Sequence, residues 1–171
     1  ILTMLDVPTP IIVACNGAAY GGGCEFVLAA DFAYGSETAK LALTEVTLGI
    51  MPGAGGTQFL PRAVGIRRAK EFLLTGTPCS ADEAKEWGIF NKVCKDSDLL
   101  NEAITTAERI ASNAPISIKQ AKKALNVSTQ VDLKNGYAFE IEAYNRMVPT
   151  EDRQEGIRAF NEKRQPEYKG K

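Results

Sequence analysis

The sequence has no histidine among its 171 residues. Histidine is the commonest general base near neutral pH, the usual activator of serine and cysteine nucleophiles, and a preferred zinc ligand. Any general acid or base in this chain must therefore be another side chain, and the carboxylates are the first candidates. The sequence begins at Ile1 rather than at methionine, and we expect it to be part of a longer protein.

The sequence also lacks an excess of charge of either sign and any long apolar run. It has 20 Lys and Arg against 21 Asp and Glu, so no basic surplus exists to neutralise the phosphates of a nucleic acid. The apolar runs are far too short to span a bilayer, and no signal peptide is visible. The 44% hydrophobic content suits a buried core of one domain or a little more. We therefore expect neither a nucleic acid nor a membrane as a partner.

Cysteine is scarce, and no two cysteines form a C-x-x-C pair. Such spacing fits neither a zinc site nor a disulfide framework. We expect free thiols that pack as small hydrophobic side chains in a reducing compartment, and no metal site. The four residues are Cys15, Cys24, Cys79 and Cys94.

The residues that are present divide the chain into two parts. Residues 1–95, rich in glycine and β-formers, predict an α/β core, and residues 96–171 predict a helical lid or assembly region. Strands are expected at 10–15 (buried), 32–34, 41–43 and 92–94. Helices are expected at 24–30, 58–64, 67–74, 80–87 (with a capping box at 80–83), 99–112, 116–125, 131–147 and 151–161.

The first glycine-rich segment, NGAAYGGGCE at residues 16–25, links a strand to a helix. Glycines there allow the backbone to approach a ligand closely, and the helix start presents unpaired N–H groups that suit an anion or an oxyanion. The alternative is a tight turn that only serves strand–helix packing. Neither G-x-G-x-x-G nor the Gly-Lys-Ser/Thr of a phosphate-binding loop is present at this position.

Two glutamates, Glu25 and Glu45, lie in apolar stretches next to glycine-rich loops. An apolar pocket raises the proton affinity of a carboxylate, which suits acid–base chemistry near neutral pH. The alternatives are a charge that only favours a helix N-terminus for Glu25 and a solvated loop acid for Glu45. The second loop, at residues 50–58, is expected to be entered through Pro52 and followed by a helix that Thr57 caps, and its alternative is a purely structural connection.

Four segments carry a resemblance to a known family. NGAAYGGGCEF at residues 16–26 and TEVTLGIMPGAGGTQ at residues 44–58 resemble two signatures of the crotonase (enoyl-CoA hydratase/isomerase) superfamily. Residues 73–93 and 155–164 are similar to the family's next segment and its terminal helix, and the correspondence runs from about Pro8 to the end. The resemblance implies a crotonase-like α/β fold with a spiral core of ββα units. It also implies that this core is N-terminally incomplete here and that a C-terminal helical trimerisation region follows.

The resemblance also assigns site residues. It places Glu25 and Glu45 at the two catalytic carboxylate positions of the hydratases, and it makes the Gly22 backbone N–H one of two oxyanion donors to a thioester carbonyl. It assigns four further residues to substrate binding, namely Gly21, Gly53, Phe160 and Lys163. The alternatives are interface or core packing for Phe160 and an ordinary solvated charge for Lys163.

The implied reaction is the reversible addition of water to the C2=C3 bond of a trans-2-enoyl-CoA, as in fatty acid metabolism. Coenzyme A then enters as part of the substrate, with no metal and no covalently bound cofactor, and the implied assembly is a homotrimer or a dimer of trimers. The alternatives are an enoyl-CoA isomerase, a specialised acyl-CoA dehydratase, or a non-catalytic family member. Isomerases of the family usually need only one of the two acids, so the presence of both favours hydration.

The resemblance has two further implications. The expected compartment is the cytoplasm for a bacterial protein and the mitochondrial matrix for a eukaryotic one. The second oxyanion donor and much of the adenine pocket are expected upstream of Ile1, so we expect the 171-residue chain alone to be a poor hydratase.

Overall fold

The computed structural model describes residues 1–171, and contacts between Cα atoms group them into two compact units. The first unit comprises residues 1–6 and 11–105, and the second comprises residues 7–10 and 106–171. The division therefore falls further along the chain than the boundary that the sequence analysis sets after residue 95.

The first unit contains two three-stranded sheets. The first sheet is parallel, with the order β1 (Ile12–Cys15), β3 (Phe32–Ser36) and β6 (Lys92–Cys94). The second has the order β2 (Ala18–Tyr20), β4 (Lys40–Ala42) and β5 (Cys79–Ser80). In it, β2 and β4 are parallel, whereas β4 and β5 are antiparallel.

The first four strands alternate between the two sheets. The chain leaves the first sheet at Asn16 and Gly17 to form β2, and it does so again after β3 to form β4. Each turn of this path adds one strand to each sheet and then a helix, which is α2 (Gly22–Ala29) after β2. After β4 come the 3-10 helix Glu45–Leu48 and then α3 (Gly56–Val64). The repeated ββα units are those expected from the sequence.

The core of the first unit is formed by apolar side chains from both sheets and from the helices against them. The strand at 10–15 is predicted to be buried, but only Cys15 is buried, and residues 12–14 of β1 are half-buried. All four cysteines are free and buried, as predicted. The largest fully buried side chains are those of Phe90, Leu41, Leu43, Leu60, Cys24 and Ser36.

Local signals predict two helix boundaries of this unit correctly, at Gly65 and at Ser80, but they miss its first helix. The remaining helices are α1 (Leu2–Asp6), α4 (Ile66–Thr75) and α5 (Ala81–Glu86), with α3 and α4 meeting at Gly65 as predicted. The Ser80 hydroxyl accepts the Glu83 N–H, and the Glu83 carboxylate accepts the Ser80 N–H, which confirms the capping box.

The secondary structure of the second unit is entirely helical. The boundary between the units falls within α6 (Leu99–Ala111), whose residues from 106 onwards belong to the second unit. The other three are α7 (Pro115–Ser128), α8 (Leu133–Asn145) and α9 (Glu151–Glu162), which confirms the four predicted helices. The buried Lys122 of α7 donates to the Thr9 carbonyl at 3.0 Å and so ties residues 7–10 to this unit. No helix of the structure has the length and apolar character needed to cross a membrane.

Candidate active site

The pairing of β2 with β4 explains why two acids that lie 20 residues apart in sequence share one region. Glu25 follows the carboxyl end of β2, and Glu45 follows the carboxyl end of β4. The two strands are parallel neighbours with Tyr20 opposite Ala42, so their carboxyl ends lie at the same edge of the sheet. The pairing of β2 with β4 therefore brings the segments that carry Glu25 and Glu45 to the same edge of the sheet.

Glu25 is buried, with 3% of its surface exposed. Its Oε1 accepts hydrogen bonds from the backbone N–H of Ala54 at 2.7 Å and of Gly56 at 2.8 Å. Gly56 is the first residue of α3, so the carboxylate satisfies an N–H group that has no acceptor within the helix. Glu25 thus lies near the start of α2 and binds the start of α3. The alternative, that its charge only favours the N-terminus of its own helix, is therefore too narrow.

The prediction that Thr57 caps α3 is wrong. The N-cap is Gly55, whose φ of 105° lies in the left-handed region, and Thr57 is already the second residue of the helix. No side chain of the loop forms a capping hydrogen bond. The Glu25 carboxylate performs this function from a distant part of the sequence.

Glu45 begins the 3-10 helix and has 9% of its surface exposed, so the alternative of a solvated loop acid is wrong. Its Oε2 is buried and has no hydrogen-bond partner. Its Oε1 lies 3.4 Å from the point where a Cβ on Gly21 would be. An unsatisfied buried acceptor costs about 1–3 kcal/mol, and such groups in native proteins often mark functional positions.

The first glycine loop is held by backbone hydrogen bonds. Gly21 has φ 55° and ψ −124°, a conformation that only glycine adopts readily. Its N–H donates to the Ala42 carbonyl at 2.9 Å, and its carbonyl accepts the Glu25 N–H at 3.0 Å. Gly21 therefore connects the end of β4 to the helix that carries Glu25, and its N–H is not free to bind a ligand.

Gly22 is the first residue of α2 and is exposed. Its N–H belongs to the first turn, where no acceptor exists within a helix, and a Cβ at this position would meet nothing within 4 Å. The same open space surrounds the Cβ position of the exposed Gly53 in the second loop. Gly22, in the helix that carries Glu25, and Gly53, in the loop that binds Glu25, thus both expose their backbone without a side chain.

The Cys24 thiol, next to Glu25 in sequence, lies close to both acids. Burial raises its pKa most strongly, and the charges of Glu45 and Glu25 raise it further. The thiol is fully buried, so it packs as a small hydrophobic side chain and is no nucleophile. No group of three or more His, Cys, Asp or Glu side chains in the structure could hold a metal ion.

Comparison with known proteins places these residues in a family. The family model for enoyl-CoA hydratase/isomerase matches residues 1–171. The chain belongs to the enoyl-CoA hydratase/isomerase family. The crystal structure of an enoyl-CoA hydratase from Bacillus anthracis superimposes with a TM-score of 0.98 at 50% identity, over 99% of this chain and 66% of that one. The expected crotonase-like fold is therefore confirmed.

Curated members of the enoyl-CoA hydratase/isomerase family are nearly as similar. The Bacillus subtilis protein YngF is 48% identical over 168 residues, which cover 98% of this chain and 65% of YngF. A short-chain-enoyl-CoA hydratase from Clostridium acetobutylicum is 44% identical over 158 residues, 92% of this chain and 60% of that enzyme. The chain thus spans less than two thirds of the length of these relatives.

The two remaining residues that the family resemblance assigns, Phe160 and Lys163, lie in the second unit. Phe160 is 83% exposed, so the alternative that it packs in the core of this chain is wrong. Lys163 ends α9 with a left-handed φ of 55° and is also exposed. Sequence reasoning missed Ala54 and Gly56, whose N–H groups hold Glu25, since a backbone contact leaves no side-chain signal in a motif.

Proposed function

We propose that the chain carries the acid–base machinery of an enoyl-CoA hydratase, which adds water reversibly across the C2=C3 bond of a trans-2-enoyl-CoA. The observation that carries this proposal is the pair of buried glutamates at one edge of the β2–β4 sheet, one of them with a buried oxygen that has no partner. Two acids without histidine suit a reaction in which one proton is removed and another is supplied.

In the proposed reaction a water molecule is held between Glu25 and Glu45. Its oxygen forms a bond to C3 while one carboxylate takes the released proton, and the other acid gives a proton to C2, so that one water is added in total. The partnerless Oε2 of Glu45 is the oxygen that such a water or proton would satisfy. The second oxygen of Glu25 is the one left for this chemistry, because its Oε1 already accepts two N–H groups.

The electron pair of the broken C2=C3 bond delocalises onto the thioester oxygen before C2 is protonated. We assign the stabilisation of this oxyanion to the Gly22 N–H, which belongs to the first turn of α2 and has no acceptor within the helix. Donors fixed before the reaction lower the barrier because no reorganisation is needed as the charge develops. Gly53 offers further open backbone for substrate, whereas Gly21 acts through the loop geometry described above.

Substrate binding and assembly belong to the same proposal. Coenzyme A binds as part of the substrate, and the exposed Phe160 and Lys163 approach the coenzyme A of a neighbouring subunit in a homotrimer or a dimer of trimers. The name of the Clostridium acetobutylicum relative, a short-chain-enoyl-CoA hydratase, supports a short acyl chain and hydration rather than isomerisation.

Crotonyl-CoA hydration tests the proposal in a chimera that joins this chain to the third of the Bacillus anthracis enzyme that it does not match. We expect turnover by the chimera and losses of at least about 10²-fold in kcat for Glu25→Gln and for Glu45→Gln. Glu86→Gln, which alters an exposed acid of α5, is the matched control and should retain activity. Full turnover by both active-site variants would contradict the proposal.

A further inference from the structure

We propose that Gly56 is a positioning residue for Glu25. The missing Cβ at the start of α3 leaves the room in which the Glu25 carboxylate rests on the N–H groups of Ala54 and Gly56. This inference rests on the proposed function, because it explains how one of the two proposed catalytic acids is held.

The backbone alone does not require glycine at residue 56. Gly56 is the first residue of α3 and, unlike Gly55 before it, has no positive φ. Alanine has a higher helix propensity than glycine, so the backbone of α3 would favour alanine at this residue. The reason for glycine must therefore lie in what surrounds its Cα.

An added Cβ would be tightly enclosed. It would lie 3.0 Å from Cβ of Pro52, 3.1 Å from Cδ1 of Leu43 and 3.2 Å from Oε1 of Glu25. Pro52 is a rigid ring in a buried loop position, and Leu43 is fully buried in the core. The Glu25 carboxylate is the end of a flexible side chain, so it is the neighbour that would move.

A shift of a few tenths of an ångström in Oε1 would lengthen the two hydrogen bonds that orient Glu25 and change the direction in which its carboxylate points. Errors of about 1 Å in the position of a reacting group can cost about 10²-fold in rate, so the smaller shift expected here should cost about 10-fold. Gly56→Ala should therefore lower kcat far more than it changes KM.

Carbon-13 NMR of the 171-residue chain with labelled glutamate tests the positioning directly, without any need for turnover. Glu25→Gln identifies the Glu25 carboxyl signal. In Gly56→Ala we expect this signal to shift and the Ala54 amide proton to move upfield as its hydrogen bond lengthens. The control is Gly136→Ala in α8, where the new Cβ makes only an ordinary contact with Val131 at 3.5 Å. Unchanged Glu25 and Ala54 signals in Gly56→Ala would overturn the inference.

A second variant covers the case in which Gly56→Ala does not fold. Leu43→Val removes Cδ1, so the double variant Leu43→Val/Gly56→Ala loses the contact with Leu43 and keeps those with Pro52 and Glu25. Its reference is Leu43→Val alone. The same shifts are expected in this pair. If neither variant containing alanine at residue 56 folds, Gly56 serves core packing alone and the inference is wrong.

Kinetics of the chimera complete the test. We expect Gly56→Ala to lower kcat by about 10-fold with KM within about two-fold, and to add little further loss in a Glu25→Gln background. An equal loss in both backgrounds would refute a role through Glu25. If the unmodified chimera does not hydrate crotonyl-CoA, the proposed function fails, while the NMR result still decides the role of Gly56.

Discussion

At the scale of single residues, Glu25 and Glu45 are both buried but differ in what their oxygens contact. Oε1 of Glu25 accepts two backbone N–H groups, whereas Oε2 of Glu45 accepts none. Glu25 should therefore stabilise the fold, whereas Glu45 should destabilise it. The same apolar substitution should then change the free energy of unfolding in opposite directions at the two residues.

Replacement of each acid by methionine tests this difference. Glu25→Met leaves the Ala54 and Gly56 N–H groups without an acceptor, so we expect a loss of about 1–3 kcal/mol in the free energy of unfolding. Glu45→Met removes a partnerless buried oxygen, so we expect a neutral or stabilising effect. Urea denaturation of the two variants measures both values. Destabilisation of similar size in the two would contradict the assignment.

The sequence could predict these residues only in part. The apolar neighbours of Glu25 and Glu45 and the adjacent glycines marked both acids as candidates. The burial of Glu45 and the anchoring of Glu25 by residues about 30 positions away depend on how β2 and β4 pair, which is a long-range property of the chain.

At the scale of elements, helix ends that depend on neighbouring residues were predictable and those that depend on distant ones were not. The capping box of α5 lies within four consecutive residues, Ser80 to Glu83, and was predicted correctly. The start of α3 receives its acceptor from Glu25, which is 31 residues from Gly56, so the prediction of Thr57 as the cap failed. The helical tail was predictable because its caps and prolines are local signals.

The capping box offers a stability prediction for α5. Ser80→Ala removes the hydroxyl that accepts the Glu83 N–H, and we expect it to cost about 1 kcal/mol in the free energy of unfolding. Ser128→Ala, at the end of α7, changes an exposed hydroxyl that bonds only within its own helix and should cost less. Thermal unfolding of the two variants makes the comparison, and an equal or smaller effect at Ser80 would contradict it.

An ion pair gives helix α9 a predicted dependence on pH. Arg164 donates to both oxygens of Glu155, at 2.6 and 3.0 Å, and this lowers the pKa of Glu155 from its ordinary 4.5 to about 2. Because the folded-state pKa is depressed, the unfolded chain binds the proton first as the pH falls. The stabilisation is therefore complete above about pH 5 and is lost between pH 4.5 and about 2.

Arg164→Gln removes the two hydrogen bonds that Arg164 donates to Glu155, whereas the hydrogen bond from the Glu167 N–H and the ion pair with Arg158 at 3.9 Å remain, and so tests this dependence. We expect the variant to be less stable than the parent at pH 6, with the difference shrinking as the pH falls from 4.5 towards 2. Arg153→Gln, which changes an exposed arginine of α9, is the control. A stability difference that stays constant from pH 6 to pH 2 would contradict the role of the Glu155 carboxylate.

At the scale of the whole molecule, the chain covers 60% to 66% of the matched Clostridium acetobutylicum and Bacillus anthracis proteins. It contains the two glutamates and one proposed oxyanion donor, Gly22. We predict that the isolated chain hydrates crotonyl-CoA at least about 10²-fold more slowly than the chimera, because the family resemblance leads us to expect a second oxyanion donor in the segment that the chimera adds. Equal kcat/KM values for the two proteins would contradict this.

The central claim is that two glutamates of this chain add water to an enoyl-CoA, and product analysis in H₂¹⁸O tests it most directly. The chimera is incubated with crotonyl-CoA, and the product is examined by mass spectrometry. The account predicts 3-hydroxybutyryl-CoA with one ¹⁸O at C3, and almost none from Glu25→Gln/Glu45→Gln. Conversion to a product of unchanged mass would indicate isomerisation, and equal ¹⁸O incorporation by the double variant would contradict the two-glutamate mechanism.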